Sequence, residues 1–297
     1  MHDRRKPSPQ MKLDGFFINL DRSDDRRRSM EQQLADLGCD SFIKRYPGID
    51  GLISGTLDDP AENGVRACRR SHTELILSAD EHSSTVILED DVTFSAQFPE
   101  VVNAQVFQRM LDDYPDTDLF FFECYPNPYY AATLLSLAEK QMPQRARADV
   151  HGPQRHRFTS LSVVRPTDIY NASAAAYLVT PKGKRTLRAL FAAATDPATP
   201  IDILYQRWIK TGALNALLGV PFVAAPASLF RSTIAYPETP RRTELLLTHA
   251  VRRLMFAGDP EVDANALESL RTDVPLSPEY RLGIALFDQL WARNAGL

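Results

Sequence analysis

A short apolar run leads directly into three acidic residues in the segment Thr85-Val86-Ile87-Leu88-Glu89-Asp90-Asp91-Val92-Thr93-Phe94. Such a run is typical of a strand that is buried on both faces, as in a parallel sheet. In open α/β sheets the ligand crevice lies beyond the carboxyl ends of the strands. The segment therefore predicts a central strand whose acidic end lies where a ligand binds.

The three adjacent carboxylates Glu89, Asp90 and Asp91 repel one another. A chain tolerates such repulsion where a cation neutralises it, and carboxylate oxygens suit hard or borderline ions such as Mg²⁺ or Mn²⁺. The alternative is a plain acidic turn after a buried strand, because short acidic clusters are common at strand ends.

The composition is that of an ordinary globular protein. A chain of 297 residues predicts one large domain, or one domain with a small appendage, at roughly 150 residues per domain. The net charge of −4 argues against a protein that mainly holds nucleic acid. Three scattered cysteines, Cys39, Cys68 and Cys124, indicate a reducing, cytoplasmic compartment. No run approaches the ~20 apolar residues of a membrane span, so no transmembrane segment is expected.

The first ordered elements are expected after a disordered leader over residues 1–12. An apolar strand over 15–20 is followed by Ser23 in an N-cap position, and the helix should end before Gly38. A strand, a polar turn and a helix N-terminus with Arg26 nearby form a cradle for a nucleotide. The alternative for the arginines of this segment is a solvated helix face.

A second strand is expected at 42–46, and a helical stripe runs from Val65 to about Glu81. His72 lies on that stripe, where a core histidine and a site residue are both compatible with the pattern. The helix leads directly into the strand that carries the three acids.

Five segments together resemble glycosyltransferase family 25, which includes lipooligosaccharide β-galactosyltransferases of bacteria and procollagen galactosyltransferases. They are Ile18–Ser23 with Asp25–Arg27, Gly64–Cys68 with Ser71-His72, Val86–Val92, Ala175–Gly183 and Pro200–Asp202. Their order and spacing agree with the family, from roughly residue 15 to residue 235. Ala67 stands where the family would usually show glycine, and Arg70 and Thr73 where it shows leucines.

The resemblance implies a GT-A-type fold, a Rossmann-like mixed sheet flanked by helices that binds a nucleotide sugar. It implies metal-dependent, inverting transfer of a hexose, with galactose as the first choice, from a UDP-sugar to a hydroxyl acceptor. Mn²⁺ (or Mg²⁺) held by Asp91 and Glu89 would stabilise the departing diphosphate as a Lewis acid. The residues that the resemblance assigns to donor binding are Asn19, Leu20, Asp21, Arg26, His72 and Asp90, the last facing the ribose or the sugar.

An inverting reaction needs a general base on the acceptor side, and a carboxylate is the usual choice. Asp202 opens a predicted helix at 201–210 and matches the family segment; its alternative role is helix N-capping. Glu123 ends the apolar strand over 118–122; its alternative role is pairing with a nearby arginine.

Two further segments have open interpretations. Residues 141–165 form a basic stretch with two prolines, which predicts either a flap near an anionic ligand or a solvated loop. The aromatic residues of segment 125–130 would pack on sugar rings or within the core.

Helical periodicity without strands fills the C-terminal region. We expect a catalytic domain over 13–236 and an all-helical appendage over 237–297. The appendage would complete the acceptor side or form a homodimer contact.

The main hypothesis is therefore a cytoplasmic glycosyltransferase with a UDP-sugar donor and a glycan, lipid-linked or protein acceptor, and lipopolysaccharide biosynthesis is its first context. One alternative is a nucleotide-sugar-binding module without activity. Another is a haloacid-dehalogenase-type phosphatase, but that class needs an aspartate nucleophile where Glu89 stands.

Overall fold

The computed structural model describes residues 11–145, 147, 149–227, 234, 251–258, 277–279, 281–282 and 285. The strands are β1 (Leu13–Asn19), β2 (Ile43–Pro47), β3 (Ser84–Glu89), β4 (Val92–Phe94), β5 (Leu119–Phe121), β6 (Tyr125–Pro126), β7 (Ser162–Val164), β8 (Tyr170–Ala172), β9 (Ala176–Val179), β10 (Ala216–Val220) and β11 (Ala224–Pro226). The helices are α1 (Asp24–Asp36), α2 (Gly51–Ser54), α3 (Pro60–Ser78), α4 (Phe98–Val101), α5 (Ala104–Asp113), α6 (Ala131–Gln141), α7 (Pro181–Ala193) and α8 (Ile201–Lys210).

The centre of the fold is a seven-stranded mixed sheet in the order β2-β1-β3-β9-β5-β10-β7. Strands β2, β1, β3, β5 and β10 share one direction, whereas β9 and β7 run against their neighbours. The expected α/β class, with a mixed sheet flanked by helices, is confirmed. Two small two-stranded sheets, β11-β4 and β6-β8, complete the pairing.

Strand β3 lies inside the sheet, as its apolar run predicts. Val86, Ile87 and Leu88 are 0% exposed, because β1 covers one edge of the strand and the antiparallel β9 the other. Leu88 lies opposite Phe17 of β1 and Ala176 of β9. The strand begins at Ser84 and ends on Glu89, so the first of the three carboxylates belongs to the strand itself.

The amino end of β3 is held by a buried lysine from α7. The ammonium group of Lys184 donates to the carbonyl oxygens of Asp80 and Ser83, at 2.6 and 2.9 Å, and to the hydroxyl of Thr85 at 2.6 Å. Burial lowers the pKa of Lys184, and the nearby Asp14 and Asp80 oppose that effect. The buried charge is therefore satisfied by oxygen acceptors.

Helix α1 begins after Ser23, as predicted, but the Ser23 side chain makes no capping hydrogen bond. Arg26 is buried on the same helix face as Met30 and Leu34, because residues four apart lie above one another on a helix. Only this arginine of the run turns inward; Arg27 and Arg28 are exposed.

Helix α3 begins at Pro60, five residues before the predicted start at Val65. The side chain of Asp59 accepts hydrogen bonds from the backbone N–H groups of Ala61 and Glu62, and proline occupies the first turn. This combination of an aspartate cap and proline is a standard helix start, and the turn-rich appearance of the segment concealed it.

The basic segment 141–165 packs on the protein. Arg145 donates to the carbonyl oxygens of Leu254 and Phe256, and Arg157 pairs with Glu100 at 3.1 Å. These contacts give the two arginines partners within the protein, and the alternatives of a flap and a solvated loop for the whole segment stay predictions.

The expected leader over 1–12 and the appendage over 237–297 lie largely outside the described residues. Residues 251–255 are helical, and Ala257 donates its backbone N–H to Phe222 at 2.9 Å. Among the helices that the structure describes, none combines the length and the apolar character that crossing a membrane requires.

Candidate functional site

The strands that share one direction end at the same edge of the sheet, and polar side chains gather there. Asn19 closes β1, Glu89 closes β3, Asp50 follows β2 and Glu123 follows β5. A cleft of about 190 Å³ opens at this edge. Its lining includes Leu20, Arg22, Arg26, Ile49, Asp50, Gly64, Cys68, Ser71, His72, Glu89, Asp90 and Asp91.

Asp90 is the fixed member of the acidic turn. Its Oδ1 accepts a hydrogen bond from Arg26 at 2.7 Å and its Oδ2 accepts one from Asn19 at 2.7 Å. Burial raises the pKa of Asp90, although the hydrogen bonds from Asn19 and Arg26 oppose the shift. Because both oxygens are engaged, Asp90 orders the turn. It does not present the free carboxylate that was expected to face a ribose.

Asp91 is a partly exposed member of the same turn. Its side chain is 21% exposed and lies 3.4 Å from Arg26. Burial, followed by the charge of Glu89, raises the pKa of Asp91 to about 7. The protein thus holds this carboxylate where its negative charge lacks full compensation, which is the condition that favours a bound cation.

Glu89 connects the acidic turn to helix α3 through His72. The Nε2 atom of His72 lies 3.3 Å from Glu89 Oε1, and Nδ1 lies 2.9 Å from the hydroxyl oxygen of Tyr177. Tyr205 donates its hydroxyl hydrogen to Tyr177 at 3.2 Å. Burial acts to raise the pKa of Glu89, but the hydrogen bond and charge of His72, with Arg252 and Arg26, outweigh it and lower the pKa.

Cys68 lies one helical turn before His72 and also lines the cleft. One ligand atom from each of Cys68, His72 and Glu89 lies within 4.8 Å of the other two. Burial raises the pKa of the Cys68 thiol well above its usual value, and the carboxylates of Glu89, Asp202 and Asp91 add to the shift.

The expected donor residues separate into three groups. Leu20, Arg26, His72 and Asp90 line the cleft. Asn19 is buried beneath it, where it donates to Asp90 and to the carbonyl oxygen of Ser23. The structure does not bring Asp21 to the cleft, because its exposed carboxylate pairs with Arg45.

Sequence reasoning missed the pair formed by Arg22 and Asp50, which lie 2.5 Å apart in the cleft lining. A signal was present, because Asp50 follows a strand that runs parallel to β1 and therefore ends at the same edge. The sequence indicates no role for Ser71 beyond its place in the family resemblance. In the structure its hydroxyl accepts a hydrogen bond from the backbone N–H of Ile49 at 2.8 Å.

Glu123 lies in a separate cluster. It is 0% exposed, and Arg252 donates to its Oε2 through Nε at 2.7 Å and through Nη2. Ser173 donates its hydroxyl hydrogen to Glu123 at 2.5 Å. Burial raises the pKa of Glu123, while Arg252 and Ser173 oppose the shift. Glu123 therefore has the alternative role that the sequence allows, pairing with an arginine. A fully buried and paired carboxylate cannot reach an acceptor substrate.

Asp202 lies in the first turn of α8, whose N-cap is Pro200. Its Oδ2 accepts the backbone N–H of Ser173 at 3.2 Å and its Oδ1 accepts that of Ile203 at 2.8 Å. Burial raises the pKa of Asp202 despite these bonds, and the charge of Glu89 adds to the shift. Asp202 is thus electrostatically coupled to the cleft without lining it.

Ser173 joins Asp202 to Glu123. Its φ of 86° lies in the left-handed region, which non-glycine residues rarely adopt. The backbone N–H of Ser173 serves Asp202, its hydroxyl serves Glu123, and Tyr170 donates to its carbonyl oxygen at 2.6 Å. These contacts hold an unfavourable backbone conformation beside the candidate base.

No family model matches the chain, and no curated protein matches it at a significant level.

Proposed function

We propose that this protein is a metal-dependent, inverting glycosyltransferase of the GT-A type. It would transfer a hexose, galactose as the first choice, from a UDP-sugar to a hydroxyl group of a glycan, lipid-linked or protein acceptor. One observation carries the proposal: the partly exposed carboxylates of Glu89 and Asp91 face a cleft at the carboxyl ends of parallel strands, beside the guanidinium of Arg26.

The residues fit a hard or borderline divalent ion. Asp91 and Glu89 have side chains 21% and 32% exposed, so oxygen atoms are available to a ligand in the cleft. Burial and the charge of Glu89 raise the pKa of Asp91, and Arg26 opposes this shift without cancelling it. Bound Mn²⁺ or Mg²⁺ would neutralise charge on the departing diphosphate.

The other cleft residues suit an anionic nucleotide. Arg22 and Arg26 bring guanidinium groups to a site that is otherwise acidic, and guanidinium groups bind phosphate oxygens well. Leu20 and Ile49 provide apolar surface on which a nucleoside can pack. The cleft therefore offers separate regions for the phosphates and the nucleoside.

Binding can be tested by thermal unfolding with UDP, in the presence and absence of Mn²⁺. At about 100 times its dissociation constant a ligand stabilises the folded state by roughly 2.7 kcal/mol, so a clear rise in melting temperature is expected only when both are present. Asp91→Asn should remove the effect. Asp113→Asn, which changes an exposed aspartate on α5, is the matched control and should retain it.

Assays of UDP-sugar hydrolysis and of phosphatase activity, combined with the unfolding experiment, discriminate between the possible functions. Slow hydrolysis of UDP-sugars by the Mn²⁺-loaded protein supports a transferase, whereas stabilisation without turnover indicates a binding module. Phosphatase activity without any effect of UDP indicates the phosphatase class. Equal stabilisation of the Asp91→Asn variant would refute the assigned metal site.

Asp202 is the proposed general base, because its hydrogen-bond partners carry no charge and because burial and the charge of Glu89 raise its pKa. We expect Asp202→Asn to reduce transfer by about 10²–10⁴-fold, the usual contribution of a positioned base, with unchanged UDP binding. Steady-state transfer and UDP-dependent melting of the same preparation measure both. Transfer equal to that of the unmodified chain removes Asp202 from the mechanism.

A further inference from the structure

The geometry points to a second metal site in the cleft, a thiolate-containing site for Zn²⁺ formed by Cys68, His72 and Glu89. It shares Glu89 with the proposed Mn²⁺ site but uses neither Asp91 nor the nucleotide. Its tests use no nucleotide, so their results are read separately from those of the proposed function.

Two rigid elements bring the three ligands together. Cys68 and His72 are four residues apart on α3, so their side chains project from the same helix face. Glu89 is the last residue of β3, which is held in the centre of the sheet. Neither element depends on a loop to present its ligand.

The distances are close to those of an assembled site. Zinc bonds of about 2.0–2.3 Å at tetrahedral angles place ligand atoms roughly 3.3–3.8 Å apart. The Nε2 atom of His72 and Oε1 of Glu89 are already 3.3 Å apart, and all three ligand atoms lie within 4.8 Å of one another. Small side-chain rotations of Cys68 would complete the contact.

The donor set selects a different ion from the one that Asp91 and Glu89 select. One sulfur, one imidazole nitrogen and one carboxylate oxygen suit Zn²⁺ or Co²⁺, whereas Mn²⁺ and Mg²⁺ prefer oxygen ligands alone. Tyr177 lies 2.9 Å from Nδ1 of His72 and can accept its N–H when Nε2 binds a metal. Such a partner fixes the ring orientation and tautomer of a ligating histidine.

All three residues line the cleft, so an ion has access to them. Three protein ligands with access from the cleft match the pattern of zinc sites that keep one position for a non-protein ligand. The thiol proton of Cys68 leaves to solvent when the metal binds, because only the thiolate is a ligand.

The first test titrates the chain with Co²⁺ in the absence of nucleotide and follows the absorption of a cysteine thiolate bound to cobalt. We expect the charge-transfer band in the unmodified protein and in the exposed control Asp113→Asn, and its loss in Cys68→Ser. The Cys68→Ser variant retains Cys39 and Cys124, which therefore serve as an internal control. A band that persists in Cys68→Ser, or its absence from the unmodified chain, overturns the proposal.

The second test measures Zn²⁺ affinity by competition with a chromogenic chelator. Loss of an outer partner of a metal ligand already costs about 10–100-fold in affinity, so Cys68→Ser should weaken Zn²⁺ binding by more than about 100-fold. The exposed control Asp113→Asn should bind Zn²⁺ as the unmodified chain does. Equal affinities of the Cys68→Ser variant and the unmodified protein contradict the site.

A third measurement needs no variant. Zn²⁺ should slow alkylation of Cys68 by iodoacetamide, read by mass spectrometry of the native chain, because a coordinated thiolate is protected. Alkylation of Cys68 that is unaffected by saturating Zn²⁺ contradicts the proposal even if Cys68→Ser fails to fold. Failure of the UDP experiments has no bearing on these three results.

Discussion

Two groups of acidic residues at the same edge of the sheet differ in how far positive charge compensates their carboxylates. In the cleft group, formed by Glu89, Asp90 and Asp91, the two aspartates share Arg26 and Glu89 contacts His72, and the Asp91 side chain is 21% exposed. The buried group, formed by Glu123, Arg252 and Ser173, gives one carboxylate a guanidinium and a hydroxyl and leaves it 0% exposed. Strand direction brings acidic residues to this edge in both cases. Where positive charge compensates the carboxylate fully, the group is a structural pair, and where it does not, a ligand can bind.

The comparison also explains why Glu123 and Asp202 differ as candidate bases. Glu123 accepts from a charged donor that neutralises it within the protein. Asp202 accepts from two backbone N–H groups, which carry no net charge. A carboxylate without a charged partner keeps the capacity to take up a proton.

The largest expected change in unfolding free energy comes from removing the guanidinium of Arg252 from the buried group. Arg252→Met leaves Glu123 charged and unpaired in the interior, and breaking a buried pair in this way costs about 3–5 kcal/mol of unfolding free energy. Urea unfolding measures the loss. The double variant Glu123→Leu/Arg252→Met should recover most of it, because it removes both charges together.

Arg28→Met provides the matched control, since the Arg28 side chain is 73% exposed. A surface change of this kind should alter the unfolding free energy by less than about 0.5 kcal/mol. If Arg252→Met costs no more than this control, the buried group does not stabilise the fold as described.

A smaller effect is expected from pH in the cleft group. The pKa of Asp91 is raised from 3.8 to about 7 in the folded protein, so the folded state binds more protons than the unfolded state between these values. Stability of the metal-free protein should therefore fall as pH rises from about 4 to about 7, by about 2–4 kcal/mol for a shift of this size.

Asp91→Asn lacks this titration and gives the reference curve. The difference in unfolding free energy between the unmodified chain and the variant, measured by urea unfolding in EDTA, should decline over that pH range. A difference that is constant with pH would mean that Asp91 ionises normally and that the cleft group is compensated like the buried group.

The smallest effect is expected at Ser173, the residue that links the buried group to Asp202. Ser173→Ala removes a hydroxyl from both Glu123 and Arg252 and should cost about 1–3 kcal/mol. Ser173→Gly loses the same hydroxyl but relaxes the backbone at φ 86°, so it should cost about 1 kcal/mol less. Thermal unfolding of the two variants separates the contributions, and a glycine variant less stable than the alanine variant would contradict backbone strain at this position.

The sequence predicts the cleft group well because its position follows from local patterns. The apolar run before Glu89 identifies a buried strand, and the helical stripe before it carries His72 toward the same edge. The class of fold follows from the same alternation of strands and helices. Asp91 and His72 accordingly lie in one cleft.

The sequence allows Glu123 to pair with an arginine, but which arginine could not be predicted, because the two partners are far apart in the chain. Glu123 and Arg252 are separated by 129 residues, and no local pattern encodes which arginine meets a given strand end. The antiparallel direction of β9 has the same origin, since it depends on how the chain crosses over between β3 and β5.

The lysine at the amino end of β3 has a consequence for how faithfully the acidic end is positioned. Lys184 of α7 donates to the hydroxyl of Thr85 at the start of the strand, and Arg26 of α1 donates to the carboxylate of Asp90 just beyond its end. A slip of one residue along β1 would turn every side chain of the strand to the opposite face. It would also pull Thr85 from the ammonium and Asp90 from the guanidinium. A shifted register would therefore lose two charged contacts at once, so these contacts favour the observed register of the strand.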